Sequence, residues 1–98
     1  MNRTQAIARL KDCAPAVRAR GATSLYLFGS SARDDAGPKS DLDIFIDYDP
    51  KRKFSLVDLA GIKHLLEDEL GVEVDVTTRD SLHPKLRRDI EKSAIRVF

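Results

Sequence analysis

A chain of 98 residues with 42% apolar and 34% charged side chains has the composition of one soluble globular domain, with room for a single core. Seventeen basic against sixteen acidic side chains leave a net charge of +1, which excludes a bulk field that would draw the chain to nucleic acid or membrane. A single cysteine, Cys13, excludes an internal disulfide, and no apolar run approaches the roughly 18 residues of a membrane span, so a cytoplasmic setting is expected.

In chain order, residues 4–12 carry Ile7 and Leu10 at helical spacing, with Thr4 placed as a helix cap. Pro15 interrupts that pattern and suits the first turn of a second short helix over 14–20, which Gly21 would end. Residues 24–28 predict a short apolar strand that runs straight into Gly29-Ser30. A helical turn over 31–35 and a loop through Gly37-Pro38 lead to a second strand over 41–47. There Leu42, Ile44 and Ile46 face one way, and Asp41, Asp43, Phe45 and Asp47 the other.

Asp49-Pro50 and Lys51-Arg52-Lys53 form a turn, after which Ser55 opens a helix that Gly71 would stop. A third strand over 72–77 points Val72, Val74 and Val76 to one side and Glu73, Asp75 and Thr77 to the other. Two strands joined by a helix of about fifteen residues would form a crossover unit. A helix over 84–92 and a terminal strand over 94–98 complete a single domain spanning 1–98.

The chemistry concentrates in three carboxylates. Asp41 and Asp43 are two apart on a strand, so both leave one face of the sheet, and Asp75 joins them if its strand lies alongside. Two unit charges about 4 Å apart repel by roughly 4 kcal/mol at the effective dielectric of a protein surface. A hard, oxygen-loving ion such as Mg²⁺ removes that conflict, commonly through one or two carboxylates plus substrate phosphates. Two such ions would activate an attacking oxygen and stabilise a leaving one.

Gly29 permits close backbone approach and Ser30 adds a hydroxyl beside N–H groups, a suitable place for a phosphate. Arg33, three residues beyond Ser30, can supply positive charge to the same anion. Neither a P-loop pattern nor G-x-G-x-x-G occurs. Asp47 and Asp49 are placed as exposed strand-end and turn residues. Cys13 is read as a small, partly buried hydrophobe, and His64 and His83 are read as structural or surface groups. Lys85, Arg87 and Arg88 make either a solvated helix face or a contact to a polyanion or an acidic surface.

At G-S-S-A-R…S-D-L-D the chain resembles the nucleotidyltransferases of the DNA polymerase β superfamily, and its brevity resembles the minimal nucleotidyltransferase (MNT) group. The L-V-D-L segment at 56–59, the V-E-V-D-V strand and S-L-H-P-K-L-R-R-D-I extend the likeness over nearly the whole chain. The resemblance implies an α/β (α+β) fold, a small mixed sheet with helices packed against it. It implies metal binding by Asp41 and Asp43 (two Mg²⁺ ions), a third catalytic carboxylate at Asp75, and triphosphate contact by Gly29 and Ser30. The reaction implied is transfer of AMP from ATP to a hydroxyl, with Asp75 helping to deprotonate the acceptor. One departure is Asp34-Asp35 after the motif arginine, where family members often have Gly.

Many minimal members pair with a HEPN-type ribonuclease toxin and act as its antitoxin by adenylylating one of its tyrosines. That partner, in a hetero-oligomer, is the acceptor implied here, since a 98-residue chain has little room for a substrate-binding domain. Two other readings stay open: a binding antitoxin that occludes the toxin without catalysis, and an enzyme acting on a small molecule or RNA end.

Overall fold

The computed structural model describes residues 2–29 and 42–98. Within them the elements are α1 (Arg3–Asp12), α2 (Ala14–Ala19), β1 (Ala22–Phe28), β2 (Leu42–Tyr48), α3 (Leu56–Leu70), β3 (Val74–Thr78), α4 (Pro84–Ser93) and β4 (Ile95–Arg96). A 3₁₀ turn, Arg79–Ser81, joins β3 to α4. The expected helical turn over 31–35 and its loop lie outside the described residues.

Local signals explain most boundaries. α1 begins earlier than expected because Asn2, not Thr4, caps it. The Asn2 side chain accepts the Gln5 N–H at 2.8 Å, and the Gln5 side chain accepts the Asn2 N–H at 3.0 Å. Pro15 falls in the first turn of α2, where its missing N–H costs nothing. Ser55 and Asp58 form the same reciprocal cap on α3, and Gly71 closes that helix in the left-handed region at φ 72°.

The sheet runs in the order β3-β2-β1-β4. β2 and β3 are parallel, joined by the α3 crossover, while β1 is antiparallel to both β2 and β4. The sheet is therefore mixed, as expected. β3 starts at Val74 rather than Val72, and α3 reaches across to it. Glu67 accepts the outward Val74 N–H at 3.1 Å, and Lys63 donates to the Val74 carbonyl. Those contacts cover part of an open sheet edge.

One face of the sheet carries Leu25, Leu27, Leu42, Ile44, Ile46 and Val74, all buried against Leu10, Val17, Ile62 and Leu66 of the helices. Each such side chain contributes about 1.5–3 kcal/mol by leaving water. Cys13 packs at the edge of this core, as a small hydrophobe. The opposite face is aromatic. Tyr26 stacks on Phe45 at 4.7 Å, Phe28 tilts onto the same ring at 5.7 Å, and Phe45 is fully buried. Among the described residues no helix is long and apolar enough to cross a membrane.

Candidate active site

The parallel register of β2 and β3 sets Asp43 directly beside Asp75. Residues in register on adjacent parallel strands share a face, and neighbouring strands lie about 4.8 Å apart, so the two carboxylates can reach one ion. Asp43 is half-buried and Asp75 exposed. On the other side of Asp43 stands Phe28, its antiparallel partner at the end of β1. The chain then turns at Gly29 with φ 69°, and a Cβ there would stand 2.5 Å from Asp43 Oδ2. Glycine is required twice over: for the backbone angle, and for the space the carboxylate occupies.

The structure thus gathers Gly29, Asp43 and Asp75 at one end of the sheet. Asp41, Ser30 and Arg33 lie outside the described residues. Among the described residues no three Asp, Glu, His or Cys side chains form a ligand group, so the pair is the described donor set. An all-oxygen pair opening onto solvent beside a glycine turn fits a hard divalent ion that shares its coordination with substrate phosphates. The histidines stand apart from it: His64 is exposed on α3, and His83 Nδ1 accepts the Lys85 N–H at 3.1 Å as the cap of α4.

The far end of the same strands holds what sequence reasoning missed. Asp47 is not a solvated strand end. Its carboxylate accepts two bonds from Arg79, at 2.8 Å from Nε and 3.1 Å from Nη2, and Arg79 also pairs with Glu91 of α4. The same guanidinium lies over the rings of Tyr26 and Phe45, at 4.8 and 5.0 Å from their centroids. Pairing with Asp47 above all raises the Arg79 pKa and keeps it charged. Continuing the period of two from Asp75 through Thr77 places Arg79 on this face, so the signal was present in the sequence. Beside it the Tyr48 hydroxyl donates to Asp80 at 2.7 Å, and Thr78 donates to the other carboxylate oxygen.

Residues 10–97 match the nucleotidyltransferase domain family, to which the chain belongs. It is a nucleotidyltransferase. Among its relatives is MJ0435 of Methanocaldococcus jannaschii, provisionally named a protein adenylyltransferase. The two are 39% identical over 84 residues, covering 86% of this chain and 88% of the relative. A solved structure described provisionally as a minimal nucleotidyltransferase superposes with a TM-score of 0.83 at 35% identity, over 97% of this chain and 95% of the other. A further likeness, of fold alone, is to the complex of a tri-AMPylated Shewanella oneidensis HEPN toxin with its MNT antitoxin. There the TM-score is 0.63 at 16% identity, over 90% of this chain and 68% of the other.

Proposed function

We propose that this chain transfers AMP from ATP to a hydroxyl, that of a tyrosine, on a HEPN-type toxin, and so acts as its antitoxin. The observation that carries the reading is the in-register pair Asp43 and Asp75 beside the Gly29 turn, in a chain of this family. The provisional name of the MJ0435 relative and the AMPylated toxin in the Shewanella complex support a protein acceptor.

In the proposed reaction the acceptor oxygen attacks the α-phosphorus, a new P–O bond forms, the α–β anhydride bond breaks and pyrophosphate leaves. Asp41, Asp43 and Asp75 would hold Mg²⁺, which supplies charge neutralisation for the triphosphate when bound. The chain's own part is placement. Gly29 and Ser30 would receive the phosphates with backbone N–H groups, and Arg33 would add charge. Asp75, at the exposed side of the pair, would take the acceptor proton as its oxygen attacks. Asp43, held half-buried between Phe28 and Asp75, would help to fix where the phosphorus sits.

Incubation with α-labelled ATP and Mg²⁺ in the presence of both a HEPN-type toxin protein and total RNA tests the acceptor class. Label on the protein at tyrosine is the expected result. Label on RNA ends, or only on small molecules, would refute the protein-acceptor reading.

A further inference from the structure

The end of the sheet remote from Asp43 and Asp75 carries a feature that folding does not require. α3 opens on Leu56 and Val57, which keep 83% and 79% of their surface in water. Two adjacent large apolar side chains so exposed gain nothing inside the described fold, whereas Ile62, Leu66 and Leu70 of the same helix are buried. Leu56 is part of the lining of a surface cavity of about 360 Å³ whose wall includes Tyr48, Phe54 and Leu59 and whose polar side is Ser55, Thr78, Asp80 and Ser81. Tyr48 and Phe54 are stacked at 4.9 Å, and Tyr48 is tied to Asp80, so the wall is preformed.

Charge narrows the occupant. Lys51, Arg52 and Lys53 directly precede Phe54 in the chain, all exposed, and make no ion pair among the described residues. The neighbouring carboxylates are already engaged: Asp49 accepts the Lys51 N–H at 2.9 Å, Asp58 caps Ser55, and Asp80 bonds Tyr48 and Thr78. A nucleic-acid strand following the three cations would pass these carboxylates. A protein surface with one large apolar side chain inside a ring of carboxylates meets every element of the patch.

We propose that this patch is the docking site for the acceptor protein, holding an acidic surface that inserts an apolar side chain between Leu56 and the Tyr48–Phe54 stack. The proposal rests on the reading that the acceptor is a protein. Asp43 and Tyr48 are five residues apart on β2, about 17 Å of extended chain, so one small acceptor domain spans both ends. The sheet would then grip its substrate at one end and modify it at the other.

The test uses Leu56→Asp/Val57→Asp and, separately, Lys51→Glu/Lys53→Glu. Acidic residues suit the first turn of a helix, so the first pair leaves folding intact. Binding of a HEPN-type toxin protein is measured by calorimetry, alongside AMP-transfer kinetics and sedimentation of the chain alone. Both pairs are expected to weaken binding roughly tenfold or more and to raise KM for the acceptor in step, with kcat and ATP affinity unchanged. The charge-reversal pair should also lose the salt dependence of the wild-type interaction. Variants that bind and modify like the wild type would overturn the proposal, as would a wild-type chain that does not bind the acceptor. A self-association broken by the apolar pair, with acceptor binding untouched, would assign the patch to a second copy and overturn it too. Patch-dependent binding without AMP transfer would leave the docking site standing and remove the transferase reading alone.

Discussion

The two ends of the parallel β2–β3 pair are built to opposite rules. At the start of the strands, backbone register sets Asp43 beside Asp75, and Asp75 stands exposed to solvent. At the finish, Asp47 and Glu91 both close on Arg79, whose guanidinium also lies on two rings, and Tyr48 and Thr78 satisfy Asp80. One end presents carboxylates at an open edge beside the Gly29 turn; the other uses its polar groups to hold α4 to the aromatic face. Substitutions at the first should therefore cost activity and little stability, and substitutions at the second the reverse.

The largest effect expected is at the carboxylates. Asp75→Asn or Asp43→Asn should lower the rate of AMP transfer by about 10²–10³, the scale of removing a main charge-stabilising group. Thermal melting of Asp75→Asn should stay close to wild type, since that side chain is exposed. A large fall in melting temperature would mean that these residues serve the fold instead.

Gly29→Ala probes the hinge between the two properties. Its Cβ meets Asp43 Oδ2 and its φ of 69° is unfavourable for alanine. Stability should fall by about 1–2 kcal/mol, and transfer by roughly tenfold as the carboxylate is pushed aside. Denaturant unfolding and initial rates on the same samples separate the two losses.

Arg79→Met inverts the carboxylate result. Removing a cation from between two partly buried carboxylates and two rings should cost about 2–3 kcal/mol by chemical denaturation. Turnover per folded molecule should stay within about twofold of wild type, because no part of Arg79 adjoins Asp43 or Asp75 in register. Loss of activity in fully folded protein would join the two ends that are here held separate.

The smallest effect is in the pH profile of stability. Hydrogen bonds from Thr78, then Tyr48, hold the Asp80 pKa below the ordinary 3.8, and the Val74 N–H, then Lys63, hold Glu67 below 4.5. Both favour the charged form in the folded state, so their stabilisation is complete above about pH 4.5 and is lost as pH falls through the folded values. The Asp80 bond raises the Tyr48 pKa above 10, so that contribution is present below pH 10 and lost as pH rises through the folded value. Asp80→Asn should flatten both limbs of a melting-temperature profile, and Glu67→Gln only the acid one. An unchanged profile in Asp80→Asn would contradict the assignment of these bonds.

The chemical end was the more legible in the sequence. Period-two alternation put Asp43 and Asp75 on comparable strand faces, and the α3 spacing gave the crossover that makes those strands parallel neighbours. Family resemblance supplied the rest. Of the structural end, the period of two carried only the face of Arg79; its bonds join residues 32 and 12 positions apart, Asp47 to Arg79 and Arg79 to Glu91, and no local propensity encodes such pairs. Phe45, grouped with the aspartates by alternation, is fully buried because Tyr26, Phe28 and Arg79 cover it. Thr4 precedes the periodic residues and so suggests the α1 cap, whereas the Asn2–Gln5 pair caps the helix two residues earlier.

The most direct test of the account is intact mass spectrometry of a HEPN-type toxin protein after incubation with this chain, ATP and Mg²⁺, run in parallel with Asp43→Asn. The account predicts a gain of one or more AMP units with the wild-type chain and none with the variant. An unmodified partner whose toxicity is suppressed equally by both chains would contradict it, and would make this a binding antitoxin on a nucleotidyltransferase fold.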